Sequence, residues 1–189
     1  MAKQFPRIEP AHRDFIGRQH VFFTASAAAA TRVNVSPRST TALRIVDDRT
    51  VAYLDLTGSG NETAAHLLAD GRLTLMFCAF AGPPLILRLY GRGRALGRAS
   101  AGYAGLLAAQ YGGVEPIGAR QIVVLDVDLV QTSCGFGVPL FEHHGERASL
   151  DRWAEAKGED GLKAYRREQN TFSMDGLPTG LAEEEAAPG

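Results

Sequence analysis

Residues 53–63, Tyr-Leu-Asp-Leu-Thr-Gly-Ser-Gly-Asn-Glu-Thr, carry the densest set of groups suited to chemistry in this chain. They read as a strand that enters a Gly/Ser/Thr loop and opens a helix at Ala64-Ala-His-Leu-Leu68. Gly58 and Gly60 lack a Cβ, so the backbone can turn tightly and bring its N–H groups close to a ligand. With the free N–H groups of a first helical turn and the hydroxyls of Thr57, Ser59 and Thr63, the stretch suits a phosphate. The same letters also spell an ordinary loop with Asn61 as the helix N-cap.

Two large nucleotide folds fail on this stretch. A P-loop needs Lys followed by Ser or Thr after its last glycine, and Gly60 is followed by Asn61 and Glu62. A dinucleotide fold needs a third glycine, where Thr63 stands. It also needs an acidic residue about 20 positions on, and Leu75-Met-Phe-Cys-Ala-Phe80 has none.

The elements that position the loop follow from periodicity. Residues 9–18 predict a short helix with Pro10 in its first turn. Strands are predicted at 20–25, 32–36, 41–46, 50–56, 72–80, 85–96 and 121–132, with Pro37 stopping the second. The glycines of 85–96 point to a bend or bulge. Helices are predicted near 61–69 and at 100–110, the latter capped by Ser100. Residues 149–171 predict one or two helices, interrupted near Gly158 or Gly161, and 180–189 an acidic, disordered tail. Strands joined by turns and short helices, without regular βαβ alternation, favour a mainly β, antiparallel barrel with peripheral helices.

The chain has 189 residues, which suits one domain. Its formal charge of −1 favours neither nucleic acid nor an anionic membrane. Cys78 and Cys134 are far apart and fit a reducing compartment, with no disulfide framework and no zinc site. The first residues lack the apolar run of a signal peptide, and no segment reaches about 18 consecutive apolar residues. Cytoplasm is the expected location.

Four stretches in this order resemble the pyridoxamine 5′-phosphate oxidase-like, flavin-binding split β-barrel family. They are Arg32-Val-Asn-Val-Ser-Pro-Arg38, the 53–63 segment, Leu85-Ile-Leu-Arg-Leu-Tyr-Gly-Arg-Gly-Arg94 and Gln131-Thr-Ser-Cys-Gly-Phe-Gly-Val-Pro139. The resemblance implies a homodimer with flavin mononucleotide (FMN) at each subunit interface. It places Val33, Asn34, Val35 and Ser36 along the edge of the isoalloxazine ring. The segment with Asp55, Thr57, Gly58, Ser59, Gly60, Asn61 and Thr63 would hold the ribityl phosphate. The partner subunit's strand matching Arg88–Tyr90 would close the ring site. Related branches bind the deazaflavin F420 or heme. The best-studied members place Arg-Lys where this chain has Asn61-Glu62, so the phosphate charge would fall to Arg38, Arg88, Arg92 or backbone donors alone.

Each candidate has a bland alternative. Arg38 could pair with the phosphate or be a solvated turn arginine. Asn34 and Ser36 share one strand face, toward the ring or toward solvent. Arg88 and Tyr90 suit a ligand edge or a subunit salt bridge. Gln131, Thr132 and Ser133 could donate to ring or substrate, or simply end a buried strand. Cys134 has no adjacent base to activate it. His143-His144 reads as a surface loop, His66 as a packing or capping residue, and Trp153 as an anchor for its helix. The expected function is an FMN-dependent oxidoreductase acting on a small molecule. The alternatives are an F420-dependent reductase and a non-catalytic flavin- or heme-binding protein. A second basic set for a phosphorylated vitamin substrate is not found.

Overall fold

Period-two burial builds the barrel wall. In the computed structural model, which describes residues 2–181, strand β2 (Val21–Ser26) buries Phe22, Thr24 and Ser26 and leaves the alternate residues half-buried. The other strands are β1 (Lys3–Phe5), β3 (Asn34–Ser39), β4 (Leu43–Ile45), β5 (Thr50–Leu56), β6 (Arg72–Cys78), β7 (Ile86–Gly97) and β8 (Ala119–Ser133). Helices α1 (Pro10–Gly17), α2 (Glu62–Ala69), α3 (Ala101–Gln110) and α4 (Ser149–Gln169) lie around them.

One antiparallel sheet runs β3-β2-β6-β7-β8-β5-β4, with β1 added to β8. Its two edge strands, β3 and β4, are joined in the chain by a single 3-10 turn at Thr40–Ala42. The sheet therefore curls until its edges are chain neighbours, which makes it a split barrel. Phe22, Tyr53, Leu75, Phe77, Leu87, Leu89, Val123 and Leu125 fill the interior, with Phe15 and Ile16 of α1 closing one end. Ala52, Ile122 and Val124 point out of the barrel and pack under Tyr103 of α3. Ser100 caps α3 through the Tyr103 N–H, as its sequence predicts.

Two expectations change. Strand β3 does not stop at Pro37 but continues to Ser39, Pro37 pairing with Phe23. An edge strand has one side without ladder bonds, and that side accommodates a proline. The strand expected at 41–46 shrinks to β4 behind the 3-10 turn. Helix α4 is interrupted at Gly158, as its sequence predicts, and the φ of 65° there suits glycine. The half-buried Trp153 ring meets Tyr165 across this break at 5.1 Å, and Ala154, Leu162 and Arg166 are the buried residues of the helix. Most of the acidic tail, 182–189, lies outside the described residues. No described helix is long and apolar enough to cross a membrane.

Candidate cofactor site

Strand β5 ends at Leu56, and the glycine loop 57–61 carries the chain into α2. Thr57 fixes the start, its N–H and hydroxyl both donating to the Gly118 carbonyl at 2.7 and 2.9 Å. Asn61 occupies the N-cap position of α2 but makes no side-chain cap. Its amide is spent elsewhere: Nδ2 donates to the Asn170 carbonyl at 3.4 Å, and Oδ1 accepts from Gln121 at 2.8 Å. The glycines are not required by the turn. Neither Gly58 nor Gly60 has positive φ. An added Cβ would meet nothing at Gly58 and only Glu62 Oε1, at 3.6 Å, at Gly60. What the missing Cβ leaves is open space on the solvent side of the loop.

Behind the loop lies a buried polar network. Arg120, 3% exposed, donates to Asp55 from Nε (3.1 Å) and Nη2 (2.7 Å). Its Nη1 reaches the Gly60 carbonyl and Asn170 Oδ1, both at 2.9 Å. Gln121 Nε2 adds a bond to Asp55 at 2.7 Å, and Arg38 pairs with the other carboxylate oxygen. Asn170, fully buried, donates to the Gly58 carbonyl at 3.0 Å. Arg166 Nη1 lies 3.3 Å from the Thr57 hydroxyl. Burial alone would raise the Asp55 carboxyl. The charges of Arg120 and Arg38, with hydrogen bonds from Arg120 and Gln121, outweigh it and hold the pKa at about 2.

Strand β3 meets this loop. Asn34 Nδ2 donates to Thr63 Oγ1 at 3.1 Å, and Ser36 donates to Asn34 Oδ1 at 3.2 Å. The shared face of Asn34 and Ser36 thus turns toward the loop, while Val33 and Val35 stand 70% and 59% exposed. Arg38 is no solvated turn residue. Its guanidinium lies 4.8 Å above the Tyr53 ring, and its buried Nε has no acceptor among the described residues. The end of β3 forms one wall of a cavity of about 1260 Å³. Phe15, Arg38, Phe80, Leu85 and Phe141 are among its lining residues.

The remaining candidates gather on the outer face of β7 and β8. Arg88 Nη1 donates to Ser133 Oγ at 3.2 Å, and the Tyr90 hydroxyl lies 3.4 Å from Gln131 Oε1. Tyr90 and Val33 both line a smaller cavity of about 380 Å³. Arg92, by contrast, donates to the Asp70 carbonyl at the far end of α2, away from the glycine loop. His143 stacks on His20 with centroids 3.8 Å apart, at the mouth of the larger cavity. His66 is buried and bonded to Ser26.

The family model for pyridoxamine 5′-phosphate oxidase matches residues 8–134, which includes β2 to β8, the glycine loop and both strand patches. The chain belongs to the pyridoxamine 5′-phosphate oxidase family. It is 38% identical over 182 residues to the pyridoxamine 5′-phosphate oxidase family protein ustO of Aspergillus flavus, covering 88% of this chain and 73% of that one. Among solved structures, HupZ of Group A Streptococcus superposes with a TM-score of 0.52 at 20% identity, over 65% of this chain and 91% of its own. A presumed pyridoxamine 5′-phosphate oxidase of Lactobacillus delbrueckii gives 0.51 at 13% identity, over 67% and 94%. These two likenesses show the fold.

Within this family member, Arg120, Gln121, Arg166 and Asn170 are the residues behind the candidate site that sequence reasoning missed. Arg120-Gln121 did leave a signal, a charged and a polar residue at the head of the wholly apolar run Ile122-Val-Val-Leu125. Asn170 left none, because it acts on a loop 112 positions away.

Proposed function

We propose that this protein binds FMN at the interface of a homodimer and works as a flavin-dependent oxidoreductase on a small molecule. The observation that carries this reading is the Asn34–Thr63 hydrogen bond. It joins the strand expected beside a flavin ring to the loop expected around its phosphate. Among the described residues, nothing accepts a hydrogen bond from the N–H groups of Gly58, Ser59, Gly60 or Asn61. A phosphate fits such unfilled donors. The Glu62 carboxylate stays beside the loop, its Oε1 3.6 Å from where a Cβ on Gly60 would lie, and its charge is partly met by the Met174 N–H, which it accepts at 3.1 and 3.2 Å.

From Asn34 to Arg38 the strand spans roughly 13 Å. A cofactor with its phosphate at the loop and its ring beside β3 points toward the large cavity, which offers room and apolar walls for a substrate. When bound, the flavin supplies hydride or electron transfer. The chain's part is to hold the phosphate, align the ring and keep water from the reacting face. The outward patch of Arg88, Tyr90, Gln131 and Ser133 suits the second subunit's share of the site.

The test is the absorption spectrum and mass of whatever the purified protein releases on denaturation. Flavin bands with the mass of FMN, bleached by NADH or NADPH and restored by oxygen or a quinone, are expected. A Soret band, the mass of F420, or failure of the apoprotein to take up added FMN overturns the reading.

A further inference from the structure

The glycine loop lacks a lysine, yet two of its carbonyls are gripped from behind by side chains distant in sequence. Asn170 Nδ2 takes the Gly58 carbonyl and Arg120 Nη1 takes the Gly60 carbonyl. In a trans peptide the C=O of one residue and the N–H of the next point in opposite directions. No cis peptide occurs among the described residues. Pulling the Gly58 carbonyl inward therefore turns the Ser59 N–H outward, and pulling the Gly60 carbonyl inward does the same for Asn61. These two donors face the same side, form no bond within the described protein, and compose a small anion-binding concavity.

We propose that Arg120 and Asn170 are the positioning residues of a lysine-free phosphate site, aiming the Ser59 and Asn61 N–H groups at the cofactor phosphate. The proposal rests on the flavin reading above and deepens it. Arg120 and Asn170 are tied to each other, so the two carbonyl grips form one unit. Each has an independent anchor: Arg120 on Asp55, and the Asn170 carbonyl under the Thr179 hydroxyl at 2.7 Å. Charge follows the same route. Two guanidinium groups, Arg38 and Arg120, share the single carboxylate of Asp55, which leaves a net positive charge beneath the loop. The positive charge at this loop is thus buried behind it, with no lysine on the loop itself. The end of α4 and the following turn are consequently part of the phosphate site, although the family match stops at 134.

The experiment compares FMN with riboflavin, which has the same ring and no phosphate. Dissociation constants are measured by flavin fluorescence on flavin-free wild type, Asn170→Ala and Arg120→Lys. Loss of one or two aimed donors weakens FMN by about 10-fold or more while riboflavin stays within about 2-fold. Lysine at 120 keeps the charge but cannot bridge Gly60, Asn170 and Asp55 together, so Arg120→Lys loses part of the preference. If both ligands weaken equally, or neither does, the two residues merely hold the fold and the proposal is overturned. A second measurement covers variants that fail to fold: amide hydrogen exchange on wild type. FMN, but not riboflavin, should protect the Ser59 and Asn61 N–H groups; equal protection overturns the proposal. Wild type that prefers FMN while the variants keep the preference defeats this inference alone. Wild type that binds no FMN defeats the flavin reading with it.

Discussion

Asp55 is the residue on which the site's electrostatics turn, one carboxylate against two guanidinium groups in a place 1% exposed. Removing its charge leaves Arg38 and Arg120 facing each other without compensation. Asp55→Asn should therefore destabilise the fold by about 3–5 kcal/mol at neutral pH, read from urea unfolding. The pH dependence follows from the same group. Its pKa falls from 3.8 in the unfolded chain to about 2 on folding. The stabilisation is fully present above pH 4 and drains away as the pH drops toward 2, on the order of 2 kcal/mol. Between pH 5 and pH 2.5 the wild type should lose more of its urea midpoint than Asp55→Asn does. Equal losses would mean that Asp55 titrates alike in the folded and unfolded chains, so that its pairing contributes nothing to the pH dependence.

At the level of elements, one substitution at two glycines should give opposite results. The register of β7 against β8 shifts between Tyr90 and Gly91, and a Cβ on Gly91 would lie 1.9 Å from the Asp126 carbonyl oxygen. Gly91→Ala should cost about 1–3 kcal/mol or more, because backbone must move. Gly58→Ala meets nothing and has no positive φ, so stability should hold or rise by about 0.4–1 kcal/mol. It should nonetheless weaken FMN binding, since the new methyl enters the open side of the loop, where the proposed phosphate would sit. Thermal melts and flavin titrations of the pair check this, and a Gly58→Ala protein with wild-type FMN affinity would remove the ligand from that side. These two glycines also mark what the sequence could convey. The strands, the Ser100 cap and the bulge in β7 were legible because local periodicity and turn residues encode them. The strand–loop–helix around Gly58 was legible too, but the reason for its glycines was not. Pro37 misled because whether a strand lies at an edge is decided by pairing, not by its own letters. Asn61 reads as a cap on local grounds and loses that role to Gln121 and Asn170, partners that only the closed barrel brings near.

For the molecule as a whole, the split barrel leaves two surfaces that one chain does not cover. Val33, just before the edge strand β3, and Val35 within it are exposed, as are Phe136, Leu140 and Phe141 after β8. Between them, Tyr90 lies opposite Thr74, and Arg88 opposite Met76, on the outer face of β6 and β7. A second copy laid on this face would bury these apolar groups and bring Arg88 and Tyr90 to the other subunit's cofactor. A lasting dimer needs about 1,200–2,000 Å² of buried surface, a scale that a sheet face together with the β3 edge can supply. Light scattering on the eluting protein should give twice the chain mass of 20.3 kDa. Introducing charge at the centre of the face, as in Met76→Glu with Tyr90→Glu, should halve that mass and leave the far-ultraviolet circular dichroism unchanged. Flavin retention should fall in the same variant, because the shared site loses one of its walls. The coupling of the two losses is the critical outcome. A folded monomer that still holds FMN at wild-type affinity would show that one chain completes the site by itself, and the interface would then serve stability alone.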